Sequence, residues 1–322
     1  MDRRTFLQLA AGGLAAGALG GCASHGERGD AALTISAAEF HASRRFAATS
    51  FGNVAYIERG SGDAALFVHG FPLNGFQWRG AVMRLSPYRR CIAADSLALG
   101  YTEPADGVNI TPQIQALMLA ELLDRLGVGS VDLIANDSGG AVAQLFLMRY
   151  PQRVRTLLLT NCDTENDSPP PLVVPVIQAG RAGTFADDQI GRQLADKNLA
   201  RSKDGIGGLC YTYAGDPSDE VIDCYFTPLV STPRRKALLN AYAANFDPSP
   251  LVGVEAVLRR CTAPARIVWG TGDVIFAQAS ADYLDRSFGN SRGVRRVPGA
   301  KLFYPEEFPD LIAEEARNLW GV

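Results

Sequence analysis

The apolar positions of this chain fall in short dense runs, separated by longer stretches with helical spacing. Ala64–Val68, Cys91–Ala94, Val131–Ala135, Val154–Thr160 and Ala265–Trp269 are runs of four to seven residues with few polar interruptions. That is the pattern of strands covered on both faces. Between them, apolar residues return every three or four positions. Thr111-Pro112 opens one such helix, which continues to Leu126, with Thr as N-cap and Pro at the first helical position. Gly127 and Gly129 close it. Trp78–Leu85, Ala279–Phe288 and Phe308–Trp320 read as further helices, and Val294–Val297 as a strand. Phe46–Phe51 and Val54–Arg59 read as edge strands joined around Gly52-Asn53. Strands alternating with helices predict an α/β fold with a mostly parallel sheet and helices on both faces.

The alternation stops after Asp163. Residues 165–258 begin with Ser168-Pro169-Pro170-Pro171 and carry amphipathic stretches at Asp187–Leu199 and Arg234–Phe246. They predict a helical cap inserted into a core made of residues 46–164 and 259–322.

One stretch concentrates the candidate chemistry. Val131–Gly140 reads VDLIANDSGG and is followed by AVAQLFLMRYP, an apolar helix that Pro151 ends. A buried strand, a sharp turn of small residues and an immediate helix form the elbow that presents a nucleophile beside a helix N-terminus. The side chain so presented is a carboxylate, Asp137.

The first residues read as an address rather than a fold. Asp2-Arg3-Arg4-Thr5-Phe6-Leu7 is a twin-arginine pattern, and Leu9–Gly21 is a weakly apolar stretch too short to span a bilayer. Leu19-Gly20-Gly21-Cys22 resembles a bacterial lipobox, which makes residues 1–21 a signal and Cys22 the lipidated first residue of a periplasmic or cell-envelope protein. An unlipidated Tat signal cut nearby is the alternative. Residues 22–45 then form a tether. The membrane is a partner only through that anchor.

Composition narrows the partners. The formal net charge of −3 and a sequence pI near 5.7 give no basis for nucleic-acid binding. The six cysteines are scattered, without metal-ligand or disulfide-framework spacing, so no metal and no cofactor is expected. Cys91 and Cys162 read as buried small hydrophobes, whereas pairing of Cys210 with Cys224 stays open. The sequence sets no oligomeric state.

The order of motifs over residues 46–322 resembles the α/β-hydrolase fold. His69-Gly70-Phe71-Pro72 is similar to the loop in which the residue after glycine supplies an oxyanion-hole amide, here Phe71, with His69 bracing the loop. Asn136-Asp137-Ser138-Gly139-Gly140 stands where serine members of the family carry G-H-S-x-G-G. Trp269-Gly270-Thr271-Gly272-Asp273 resembles the turn that carries the acid. This register puts Asp137 at the nucleophile position and makes the amide of Ser138 the second oxyanion donor. It resembles the haloalkane dehalogenase and epoxide hydrolase branches, in which a carboxylate attacks carbon and forms an alkyl ester.

The resemblance breaks at the base. Pro298-Gly299-Ala300-Lys301-Leu302-Phe303 occupies the stretch where the family has its histidine, and Leu302 takes that position. The chain has only His25, His41 and His69. Dehalogenases also place Trp or Arg after the nucleophile, where this chain has Ser138. Asp163 and Asp273 occupy the two family positions for the acid. Three carboxyls near one apolar pocket would raise at least one pKa and permit acid–base work without histidine. Three functions stay open. The first is an exported enzyme acting on a small apolar molecule at a carboxylate-centred site, a hydrolase by fold, with lyase or isomerase chemistry also compatible. The second is a ligand-binding protein on a disabled scaffold. The third is a dehalogenase or epoxide hydrolase with a recruited base.

Overall fold

A computed structural model describes residues 35–213 and 215–322. The twin-arginine stretch and Cys22 lie outside the described residues. Nine strands form one sheet: β1 (Arg45–Thr49), β2 (Gly52–Arg59), β3 (Ala64–Val68), β4 (Arg90–Ala94), β5 (Glu103–Pro104), β6 (Val131–Asp137), β7 (Val154–Cys162), β8 (Ala265–Gly270) and β9 (Ser291–Val297). Their order is β1-β2-β4-β3-β6-β7-β8-β9, with β5 pairing β2 at the edge. The pairs from β4 through β9 are parallel and those of β2 antiparallel. The central strands β3 and β6 are buried along their whole length, as unbroken apolar runs require when helices cover both faces.

The helices are α1 (Ala37–Ala42), α2 (Arg79–Leu85), α3 (Pro112–Arg125), α4 (Ser138–Arg149), α5 (Val174–Ala182), α6 (Asp219–Val230), α7 (Pro233–Ala244), α8 (Gln278–Ser287) and α9 (Pro309–Trp320), with shorter turns between. The Thr111 hydroxyl accepts from the Ile114 amide and caps α3. Among the described residues between β7 and β8 there are helices, turns and loops but no strand, apart from an isolated bridge between Thr164 and Asp167. The stretch Asp187–Leu199 is not one helix. A π-helical turn, Ala186–Gly191, runs into two short helices that break at Asp196, whose side chain caps the second.

Two buried cations tie these helices to the sheet. Arg235 of α7 donates to the carbonyls of Ala98, Gly100, Thr102 and Pro228, so its five N–H groups hold the loop after β4 against the helical layer. Arg79 pairs with Glu306 at 2.7 Å, and Glu306 also accepts from the hydroxyls of Tyr211 and Tyr225.

The end of the expected tether is not free chain. Ser36 and Glu39 form a reciprocal capping box on α1, and Phe40 is buried edge-on to Phe76. The Ala37 amide also donates to Glu220 of α6 at 2.7 Å. An apolar residue at the right point of a short capped helix was enough to dock this segment. Cys210 and Cys224 are free thiols, as are Cys91, Cys162 and Cys261.

Candidate functional site

The parallel strands deliver their carboxyl ends to one edge of the sheet, where α/β folds hold ligands. β6 passes into α4 with no intervening residue, and Asp137 takes up the whole turn at φ 55° and ψ −135°. Such a conformation is costly for a residue with a Cβ and persists only where neighbours fix it. Three glycines make room for it. A Cβ on Gly139 would lie 2.5 Å from the His69 carbonyl oxygen, and one on Gly140 2.3 Å from Cys162 Cβ. A Cβ on Gly70 would lie 2.5 Å from Asp137 Oδ2 itself.

The Asp137 carboxylate faces two amides. Its Oδ2 accepts from Phe71 N–H at 2.7 Å, and the Ser138 amide also stabilises the charged form. Burial pushes the pKa of Asp137 well up, and the Asp163 carboxylate adds to the rise, while the two amides pull the other way.

His69 is fully engaged. Its Nε2 accepts from the Ser96 amide at 3.0 Å, so the proton sits on Nδ1, which donates to the Gly70 carbonyl at 2.8 Å. Burial lowers its pKa and keeps it neutral. It braces the loop and has no nitrogen left for acid–base work. His41 lies on α1 against Arg44.

A cavity of about 290 Å³ opens above Asp137. Asp137 and Asp163 give it a carboxyl pole, and much of its wall is apolar, including Phe71, Ile190, Phe226, Phe276 and Leu302. Asp163 is buried, and burial, aided by Asp167 and opposed by the Ser168 hydroxyl, raises its pKa to about 7. Asp273 is held differently. Its Oδ2 accepts from Asn161 Nδ2 at 2.7 Å and its Oδ1 from the Ile275 amide at 2.8 Å. Burial still raises it to about 6, but it lies behind the cavity wall rather than in it. The three sequence-derived acids therefore divide into a pair that faces the cavity and one bound into its turn.

Leu302 is buried and contributes an apolar side chain to the cavity. Its backbone is fixed from two sides. Asn136 Nδ2 donates to the Leu302 carbonyl at 3.1 Å, and the Phe303 amide donates to the Cys210 carbonyl at 2.8 Å. Asn136 also donates to Thr160 Oγ1 and accepts from Gln77, so it joins β6, β7 and this loop.

Sequence reasoning missed Asn161 and Gln77, and it read Tyr242, with the other tyrosines of the insertion, as cap packing. Asn161 was findable as an amide ending a buried parallel strand, because such a group must be satisfied at the site edge. Tyr242 stacks on Phe71 with ring centroids 5.2 Å apart, and only the packing of α7 over the loop places it there. Among the described residues, no group of three or more His, Cys, Asp or Glu side chains could hold a metal ion.

A family model described as the alpha/beta hydrolase fold matches residues 64–203. A solved α/β hydrolase fold protein from Burkholderia ambifaria superposes with a TM-score of 0.72 at 23% identity, over 85% of this chain and 97% of its own. The chain has the α/β-hydrolase fold. Haloalkane dehalogenases and epoxide hydrolases are among the homologues of this α/β-hydrolase-fold chain. Haloalkane dehalogenase 2 of Mycobacterium tuberculosis is 25% identical over 284 residues, covering 85% of this chain and 93% of the relative. Two others match more closely over less. A 2-hydroxy-6-oxo-2,4-heptadienoate hydrolase of Pseudomonas putida is 36% identical over 31% of this chain and 37% of its own length. A cis-3-alkyl-4-alkyloxetan-2-one decarboxylase of Shewanella oneidensis is 31% identical over 37% and 38%.

Proposed function

We propose that this α/β-hydrolase-fold chain is an exported enzyme that opens a small apolar electrophile with Asp137, without a histidine base. The observation that carries the reading is the pairing of two carboxyls at one pole of an apolar cavity, Asp137 and Asp163, with Leu302 beside them. Asp137 Oδ2 accepts from the Phe71 amide, and the other oxygen is the one to attack carbon. A carboxyl near pH 7 is matched to proton transfer at neutral pH, and Asp163 is raised to about 7. Asp163 gives its proton to the departing oxygen of a strained ring as Asp137 forms the ester. The Asp163 carboxylate then takes a proton from water as that water attacks the ester carbonyl, with the Phe71 and Ser138 amides binding the oxyanion.

A route that consumes no water is compatible with the same pair. The Shewanella relative is named as a decarboxylase of a four-membered lactone, and loss of carbon dioxide from such a ring leaves an alkene without hydrolysis. Halide release is less well served, because Ser138 stands where dehalogenases place Trp or Arg. Export rests on Arg3-Arg4, and lipidation on Cys22; Cys22→Ala should abolish incorporation of labelled fatty acid.

The test is intact-mass measurement after exposure to panels of epoxides, four-membered lactones and haloalkanes. Turnover, or an adduct on wild type that is absent in Asp137→Asn, is the expected result. A ligand-binding protein is the second reading, favoured by the upward pKa shift of Asp137, since a neutral acid does not attack carbon. Saturable binding without adduct or product, unchanged in Asp137→Asn, would establish it instead.

A further inference from the structure

Large apolar side chains left exposed in a contiguous patch mark contact surfaces. Of the eight such side chains among the described residues, Leu172 lines the cavity, Val174 and Val274 are chain neighbours of lining residues, and Val252 lies in a segment hydrogen-bonded to the start of the one that carries Leu172. Leu172 lines the cavity and is still 53% exposed, and Val274, at 54%, precedes the lining residues Ile275 and Phe276. The two segments are bonded together: Asp167 accepts from the Ala277 amide and the Ser280 hydroxyl. Val252, 79% exposed, sits next to Gly253, whose amide donates to Glu165 at the base of the same segment. Pro169 and Pro170 continue this surface inward, so the rim and the cavity wall form one apolar path.

We propose that this rim is a membrane-contact surface, seated on a zwitterionic phospholipid bilayer, through which an apolar substrate enters the cavity from the lipid. Two further observations point to a lipid surface. The chain preceding the described residues leaves at Ile35, beside α1, and α1 is bonded to α6, which itself lines the cavity through Phe226. From Cys22 to Ile35 the backbone can reach ~45 Å when extended, so an anchor there allows the rim to meet the same bilayer. Among the lining residues Asp204 brings an exposed charge, and it is paired with Lys203. With that charge paired, contact rests on the apolar rim. No helix among the described residues is long and apolar enough to cross a membrane. The lipid anchor belongs to the proposed function; the rim does not depend on the chemistry of Asp137.

The experiment uses the full chain with vesicles of phosphatidylcholine carrying bromine on its acyl chains, which quenches tryptophan by contact. Leu172→Trp and Val274→Trp report the rim. Phe46→Trp reports β1, six strands away from β8 in the sheet. Of the three native tryptophans Trp78 and Trp269 are fully buried and Trp320 is half-buried under Arg89, so the quenching of the unsubstituted chain is measured and subtracted as background. Quenching of at least about twofold at positions 172 and 274, with none beyond background at 46, is expected. The same pattern is expected in the vesicle-bound fraction of the Cys22→Ala chain. Equal quenching at all three positions, or none at any, overturns the rim surface. Because no substrate enters the readout, the result is independent of whether Asp137 reacts.

Discussion

Replacing Asp163 by asparagine keeps the shape of the side chain and removes a carboxyl that burial holds up at about 7. In the unfolded chain the same group titrates near ~3.9. The folded pKa is therefore the higher one, so the contribution of Asp163 is most favourable below about pH 4 and is lost as pH rises through about 7. Three units at ~1.4 kcal/mol each put the whole effect at about 4 kcal/mol, of which ~2–3 kcal/mol develops between pH 5 and pH 8. Asp163→Asn should escape that loss. Urea unfolding of both proteins at the two pH values measures it, and the variant should gain ~2–3 kcal/mol on wild type between them. Removal of the Asp163 charge also relieves Asp137, which moves the result in the same direction. Parallel pH dependence of the two proteins would refute the reading of Asp163 as a buried carboxyl forced to ionise near neutrality. Any turnover should be lost in the same variant, so that stability and activity move in opposite directions.

Leu302→His restores an imidazole at the cavity wall on a backbone that Asn136 already holds. It should speed hydrolysis of any Asp137 ester by ~10²-fold or more in single-turnover assays; an unchanged rate would show that the site cannot use a base from that direction. Arg79→Ala leaves Glu306 buried without its cation and should destabilise the fold by about 3–5 kcal/mol in urea titration, whereas a loss below ~1 kcal/mol would reduce the pair to a surface-like contact. Gly139→Ala sets a methyl against the carbonyls of His69 and Val68. It should cost ~3 kcal/mol or more and remove activity; a thermal shift of only a degree or two would mean the elbow relaxes freely.

The strands and the elbow could be read from the chain because burial on two faces and a zero-length turn both leave marks in residue type. Val131–Gly140 shows this best, since strand, nucleophile position and the glycines required by close approach are consecutive. The boundary still moved: Asn136 and Asp137 belong to the strand, not to a separate turn. The divided roles of the acids were not legible. Asp163 and Asp273 both follow strands, and only the amides of Asn161 and Ile275 around Asp273 show which one is already satisfied. The docking of residues 35–43 was hidden for the same reason. Phe40 is a lone apolar residue in a polar stretch, and its partner Phe76 lies outside that stretch.

The bonds that hold Leu302 itself and the next amide go to main-chain atoms, and Lys301 and Tyr304 on either side are tied by their side chains to Gly208 and Val268. Asn136 takes the Leu302 carbonyl, and the Cys210 carbonyl takes the next amide. None of them depends on which side chain position 302 carries. The elbow and the wall opposite it are thus fixed by different means: the elbow depends on glycines that leave no room for a Cβ, whereas the main chain at 302 is held whatever side chain it carries. Leucine and histidine are also codon neighbours. Exchanging that one side chain would therefore set a second base beside the one proposed for Asp163, without rebuilding the frame around it.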